Sequence, residues 1–168
     1  VPLPKTDDHH DWLARCRNRD WGMPDHGQNN VPAQVAFGSA CVLMLSRAAL
    51  ETGVRFHEPY FLYYEDADLC LTLAARGFSV GYVPDARALH QDGGSVRATP
   101  ALYYNTRNRL ALLRRWATLP ELVCGGLYLA LVVAIRALAA LARRRNNDAR
   151  RLWRGLTDGL RGRMGPLA

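Results

Sequence analysis

The pattern of apolar and polar positions divides the chain into stretches of different texture. Through about Pro32 it is rich in Asp, His, Asn, Gly and Pro and has little periodicity. Residues 1–34 are therefore expected to be irregular, with Trp12 and Trp21 as anchors. From Ala36 apolar residues cluster. Cys41 to Leu45 is a short continuous apolar run of the kind a buried strand carries, Ser46 is placed to cap a short helix, and Gly53 to end it. Phe56 to Tyr64 is aromatic and extended in character. Glu65 to Arg76 is expected to be a helix, with Leu69, Leu73 and Ala74 as its apolar positions and Gly77 as its stop. Ser79 to Val83, closed by Pro84, reads as a second strand. Ala86 to His90 reads as a third, before the turn Asp92-Gly93-Gly94-Ser95.

Pro100 opens another helix, in which Leu102, Leu110, Leu113 and Trp116 alternate with Arg107, Arg109, Arg114 and Arg115. After Pro120, Leu122 to Ala142 form a 21-residue window whose only charge is Arg136, followed at once by Arg143, Arg144 and Arg145. As a helix this window is about 31 Å long, close to the hydrocarbon thickness of a bilayer. It suits a spanning helix, an interfacial helix with Arg136 snorkelling, or a buried helix of an intact enzyme or dimer. Residues 35–117 thus form one expected unit, 118–145 an apolar helix, and 146–168 a basic tail in which Arg150, Arg151, Trp153 and Arg154 continue the lipid-facing theme.

Composition narrows the classes. The 168 residues, 49% apolar and 22% charged, suffice for an ordinary core and exclude overall disorder. The net charge of +7 hides an asymmetry: residues 1–96 hold 8 Lys/Arg against 12 Asp/Glu, and residues 97–168 hold 14 Arg against 3 acids. Arginines attract phosphodiester backbones or anionic headgroups alike. Here they adjoin an apolar run and are not interleaved with aromatics on a β platform, so a membrane surface is the expected partner and nucleic acid is not. Cys16, Cys41, Cys70 and Cys124 contain no C-x-x-C pair and read as reduced, structural thiols. His9, His10 and His26 are of a type that binds metal, but His9 and His10 are adjacent in a polar run, and solvation is the leading reading. Val1 to Lys5 lacks a secretory start, and the chain is expected to be part of a protein that extends upstream.

The chemistry concentrates at Glu65, Asp66 and Asp68, three carboxylates within four positions at a helix start, where the dipole favours negative charge. Neighbouring helical side chains diverge by about 100°, so one carboxylate can enter a cleft while the next braces the loop. Capping alone also accounts for one of them.

Gly38 to Arg47, Phe61 to Leu71 with its Tyr-Tyr-Glu-Asp-Ala-Asp core, Gly77-Phe78, Tyr82 to Ala86, His90 with Gly93-Gly94-Ser95, and Tyr103 to Arg109 form an ordered set. In that order and spacing, over residues 35 to 116, the chain resembles the second half of a family 2 glycosyltransferase domain, in particular its rhamnosyltransferase-like branch. The resemblance implies an α/β chain: the acceptor-side half of a GT-A, Rossmann-like domain followed by long C-terminal helices. It implies inverting transfer of a sugar from a nucleotide-sugar donor to a hydroxyl on a glycan or lipid-linked acceptor, in cell-envelope or polysaccharide synthesis at the cytoplasmic face of the membrane. The branch implies rhamnose on a dTDP carrier.

By position, Asp66 becomes the general base and Glu65 its support; a positioned base contributes roughly 10²- to 10⁴-fold. A divalent cation, Mg²⁺ or Mn²⁺, is implied on the donor diphosphate, with His90 as a protein ligand; packing is the other reading of that histidine. Arg107 becomes a donor to the diphosphate or a solvated helix arginine. Gly38 and Ser39 allow close acceptor approach or make a plain turn, and Asp68 joins the substrate-binding set. Two departures matter. No βα nucleotide unit and no Asp-x-Asp precede residue 35, so the donor-binding half is absent from this chain. The Gln of the Q-x-x-R-W signature is also missing before Arg115-Trp116, which points to transfer of single sugars. Competing readings are a non-catalytic membrane-anchoring remnant and a basic nucleic-acid-binding module.

Overall fold

The structure, a computed structural model, describes residues 14, 16, 23, 24, 26–89 and 101–167. Among them the order is strand β1 (Ala33–Val35), helices α1 (Arg47–Glu51) and α2 (Glu65–Ala75), strand β2 (Val80–Tyr82), then helices α3 (Ala101–Trp116), α4 (Leu119–Ala142) and α5 (Asn146–Leu160). Single 3₁₀ turns occupy Ala40–Val42 and Glu58–Tyr60.

The only sheet among the described residues is β1 against β2, antiparallel, with Ala33 opposite Tyr82 and Val35 opposite Val80. The chain is mostly helical with this one small sheet, mixed α/β in the coarse sense; the expected Rossmann-like sheet is not formed among these residues. Cys41 to Leu45 is correspondingly not a buried strand. It makes a 3₁₀ turn and then an extended piece in which Leu43 and Leu45 face inward while Val42 is 61% and Met44 94% exposed. A buried strand needs ladder partners on both edges, and no described strand lies beside it. Ala86 to Leu89 is also irregular, and His90 lies outside the described residues, as do Trp12, Trp21, His9, His10 and the turn Gly93-Gly94-Ser95.

The helical boundaries follow local chemistry. Ser46 Oγ accepts from the Ala49 amide at 3.1 Å, and Gly53 leaves α1 at φ +74°. Gly77 follows α2 at φ +84°. Thr118 and Glu121 form a capping box at α4, the Glu121 carboxylate accepting from the Thr118 amide at 2.8 Å. The basic tail is not merely a surface segment: α5 runs back along α4 and buries Leu152 and Leu156 beside Leu129, Val133, Ala137 and Leu110.

Two glycines let α5 approach α3. A Cβ on Gly155 would lie 2.6 Å from the Tyr103 carbonyl, and one on Gly159 would lie 3.2 Å from that of Arg107. The end of α5 is closed by Arg114, whose guanidinium donates to the carbonyls of Gly159 and, at 2.7 Å, Leu160. A second cluster joins α2 to α3 through Tyr60, Ala67, Leu71, Leu112 and Leu113, and a third places Ala49 and Val54 under Leu69 and Leu73 of α2.

Candidate functional site

The approach to α2 is strained. Phe61, Tyr63 and Tyr64 all have positive φ, at 64°, 66° and 72°. None is a glycine, so each costs about 1–3 kcal/mol and persists only where surrounding contacts impose it.

Those contacts come from α3. Asn108, fully buried, directs Nδ2 at the carbonyls of Tyr60, Leu62 and Tyr63 at 3.0, 2.7 and 2.8 Å, two protons shared among three acceptors. Beside it the buried Arg107 donates to Tyr60 O at 2.8 Å, Gly165 O at 2.5 Å and Asn108 Oδ1 at 2.8 Å. Its guanidinium also lies 5.3 and 5.0 Å from the ring centroids of Tyr103 and Tyr104. Arg107 was expected either against a diphosphate or in solvent, and the structure places it in neither. Main-chain carbonyls and aromatic rings surround it: it shares the Tyr60 carbonyl with Asn108 and satisfies that of Gly165.

Asp68 is likewise internal. It is fully buried, accepts from Trp116 Nε1 at 2.7 Å and Tyr60 Oη at 3.4 Å, and pairs with Arg115 at 3.2 Å. This differs from the expected substrate contact, because its oxygens tie α2 to α3. Burial, and then the Asp68 charge, push the Tyr60 phenol well above its ordinary value, so it remains a neutral donor.

Asp66 is placed differently. It is half-buried at the second position of α2, where Oδ1 accepts from the Ala67 amide at 2.8 Å and Oδ2 from the Ala40 amide at 3.3 Å. The structure thereby brings together the expected base and the Gly38-Ser39-Ala40 loop. Gly38 is fixed by its amide on Cys70 Sγ at 3.4 Å, and a Cβ there would press on Leu43 at 3.1 Å. Ser39 Oγ caps the 3₁₀ turn through the Cys41 amide. Cys70 is buried and its thiol is pushed up by that burial, so it acts as packing and not as a nucleophile.

Glu65 diverges from Asp66, as consecutive helical positions must. Its Oε2 is buried without a hydrogen-bond partner among the described residues. Burial raises its pKa above the usual carboxylate range, its own backbone amide pulls the other way, and the Asp66 charge adds to the rise. One loop therefore presents a carboxyl that resists ionisation beside a carboxylate held by amides.

Among the described residues no group of three or more His, Cys, Asp or Glu stands close enough to hold a metal ion. Glu65 and Asp66 diverge and lack a third ligand, and His90 is outside the described residues. These residues do not by themselves fit the implied divalent cation.

Asn108 was not among the residues singled out from the sequence. The signal was present: Tyr104, Asn108 and Leu112 are spaced by four, which puts a polar amide in an apolar stripe, and a buried amide demands partners. No family model matches the chain, and no curated protein and no solved structure matches it either.

Proposed function

We propose that the chain carries the acceptor side of a sugar-transfer site, with Asp66 as the base that takes the proton from an acceptor hydroxyl. The alcohol oxygen attacks the anomeric carbon of a nucleotide sugar as its proton passes to Asp66. The bond from that carbon to the diphosphate oxygen breaks, and the nucleotide leaves with the electron pair. One displacement of this kind inverts the anomeric centre and needs a single carboxylate base, whereas hydrolysis of a glycoside requires a separate acid and base flanking the bond.

The observation that carries this reading is the strained Phe61–Tyr64 loop clamped by Arg107 and Asn108. It delivers Asp66 to the Gly38–Ala40 loop with main-chain amides as its hydrogen-bond donors and no ion pair to a described cation. Strain of this density is characteristic of sites where a side chain must be aimed. The ordered sequence resemblance supplies the reaction class.

The test is transfer from nucleotide sugars to alcohol acceptors by the intact protein. Asp66→Asn should lower the rate by about 10²- to 10⁴-fold with the thermal midpoint little changed. Full activity in a folded Asp66→Asn protein would overturn Asp66 as the base, and no transfer by the folded native protein would decide for the competing reading, a non-catalytic membrane anchor.

A further inference from the structure

Helix α4 is long and apolar enough to cross a bilayer, but its surroundings in the fold argue for another placement. One of its faces, Gly125, Leu129, Val133, Ala137 and Ala140, is buried. Part of that cover is α5, whose Ala149, Leu152 and Leu156 share a core with Leu129, Val133, Ala137 and Ala140. The opposite face is aliphatic and open: Leu127 is 68%, Leu131 59% and Leu138 67% exposed, with Ile135 beside them. Arg136, the one charge in the apolar window, is five positions from Leu131, about 140° around the helix. It lines the cavity between α3 and α4 with Arg109 and Asn105, away from the open stripe.

Upright insertion of α4 would carry α5 into hydrocarbon with it. The exposed Arg150, Arg151 and Arg154 of α5, and its Asp158 network with Tyr103, Arg154 and Arg163, would then lose water. Lying flat, α4 buries only its open stripe and leaves α3 and α5 in water.

Charge identifies the occupant. From residue 119 onward the chain holds nine arginines against three acids. The acids are engaged: Glu121 in its capping box, Asp148 with Arg145 and Arg151, and Asp158 as above. Arg143, Arg144 and Arg150 are exposed and have no ion pair among the described residues. A second copy would bring the same positive charge to this face, whereas an anionic bilayer offers both hydrocarbon and countercharge.

We propose that α4 lies flat in the surface of an anionic membrane, its Leu127, Leu131, Ile135 and Leu138 stripe in the acyl region and the Arg143–Arg145 turn on lipid phosphates. This stands independently of the transferase reading.

The experiment is co-sedimentation of the full chain with phosphatidylcholine vesicles, with and without phosphatidylglycerol, accompanied by circular dichroism of each variant. Binding should require phosphatidylglycerol and weaken with salt. Leu131→Glu should reduce it by at least ~10-fold, and Arg143→Gln or Arg144→Gln by roughly fivefold each. Protein expressed in cells should leave the membrane in alkaline carbonate. Retention after carbonate, which marks a spanning helix, would overturn the proposal. So would equal binding by folded Leu131→Glu, or a lipid-free dimer that Leu131→Glu dissociates.

Discussion

The helices after residue 101 and the segments before residue 89 are built on different terms. In the later part, α3, α4 and α5 bury a common core, two glycines let α5 approach α3, and a capping box and an arginine-closed helix end satisfy polar backbone groups. In the earlier part, the only described sheet is a ribbon of three residues per strand, Met44 stands in solvent, and α2 obtains much of its core from α3. A ribbon of that size has little stability of its own. Glu65 and Asp66 nevertheless sit on this weaker part. Asn108 and Arg107 reach from α3 to the loop before α2, and Arg115 and Trp116 to Asp68 in its first turn, so the helical part supplies the rigidity that the strained loop needs.

The most severe way to break that relation is Arg107→Met. It removes the donor to the Gly165 carbonyl and one of the donors to that of Tyr60, together with the stacking on Tyr103 and Tyr104, so denaturant unfolding should report a loss of about 3 kcal/mol. Gly155→Ala attacks the helical part itself. Its methyl would meet the Tyr103 carbonyl, and the helices must part or strain at a cost of about 1–3 kcal/mol, read from the same transition.

The difference between the parts also explains what was legible. Ser46, Gly53 and Gly77 marked helix ends that the structure keeps, because caps are local chemistry. The Cys41–Leu45 run misled because a strand is defined by its partners, and no described strand pairs with this one. Residues 146–168 read as a basic tail because their arginines dominate the count; the burial of Leu152, Leu156 and the two glycines depends on α3 and α4 being beside them. At the site, Asp66 bonds to the amide of Ala40, next to the Gly38 and Ser39 singled out from the sequence. The inward roles of Arg107 and Asp68 depend on three positive-φ residues that no local residue pattern announces.

The smallest effect sharpens the comparison through pH. Glu65 has a folded pKa above its unfolded value, so its carboxyl contributes stability below the unfolded pKa that is lost as pH rises through the folded one. Glu65→Gln should therefore stabilise at neutral pH, by at most about 1 kcal/mol after solvent screening. It should also flatten the decline in thermal midpoint from the acid side of the carboxylate range upward.

Amide hydrogen exchange in Asn108→Ala tests the clamp most directly. The account predicts that the Ala40 and Ala67 amides, both bonded to Asp66, exchange much faster than in the native protein while those of α4 and α5 keep their protection. Unchanged protection at Ala40 and Ala67, or equal loss throughout α4 and α5, would contradict it.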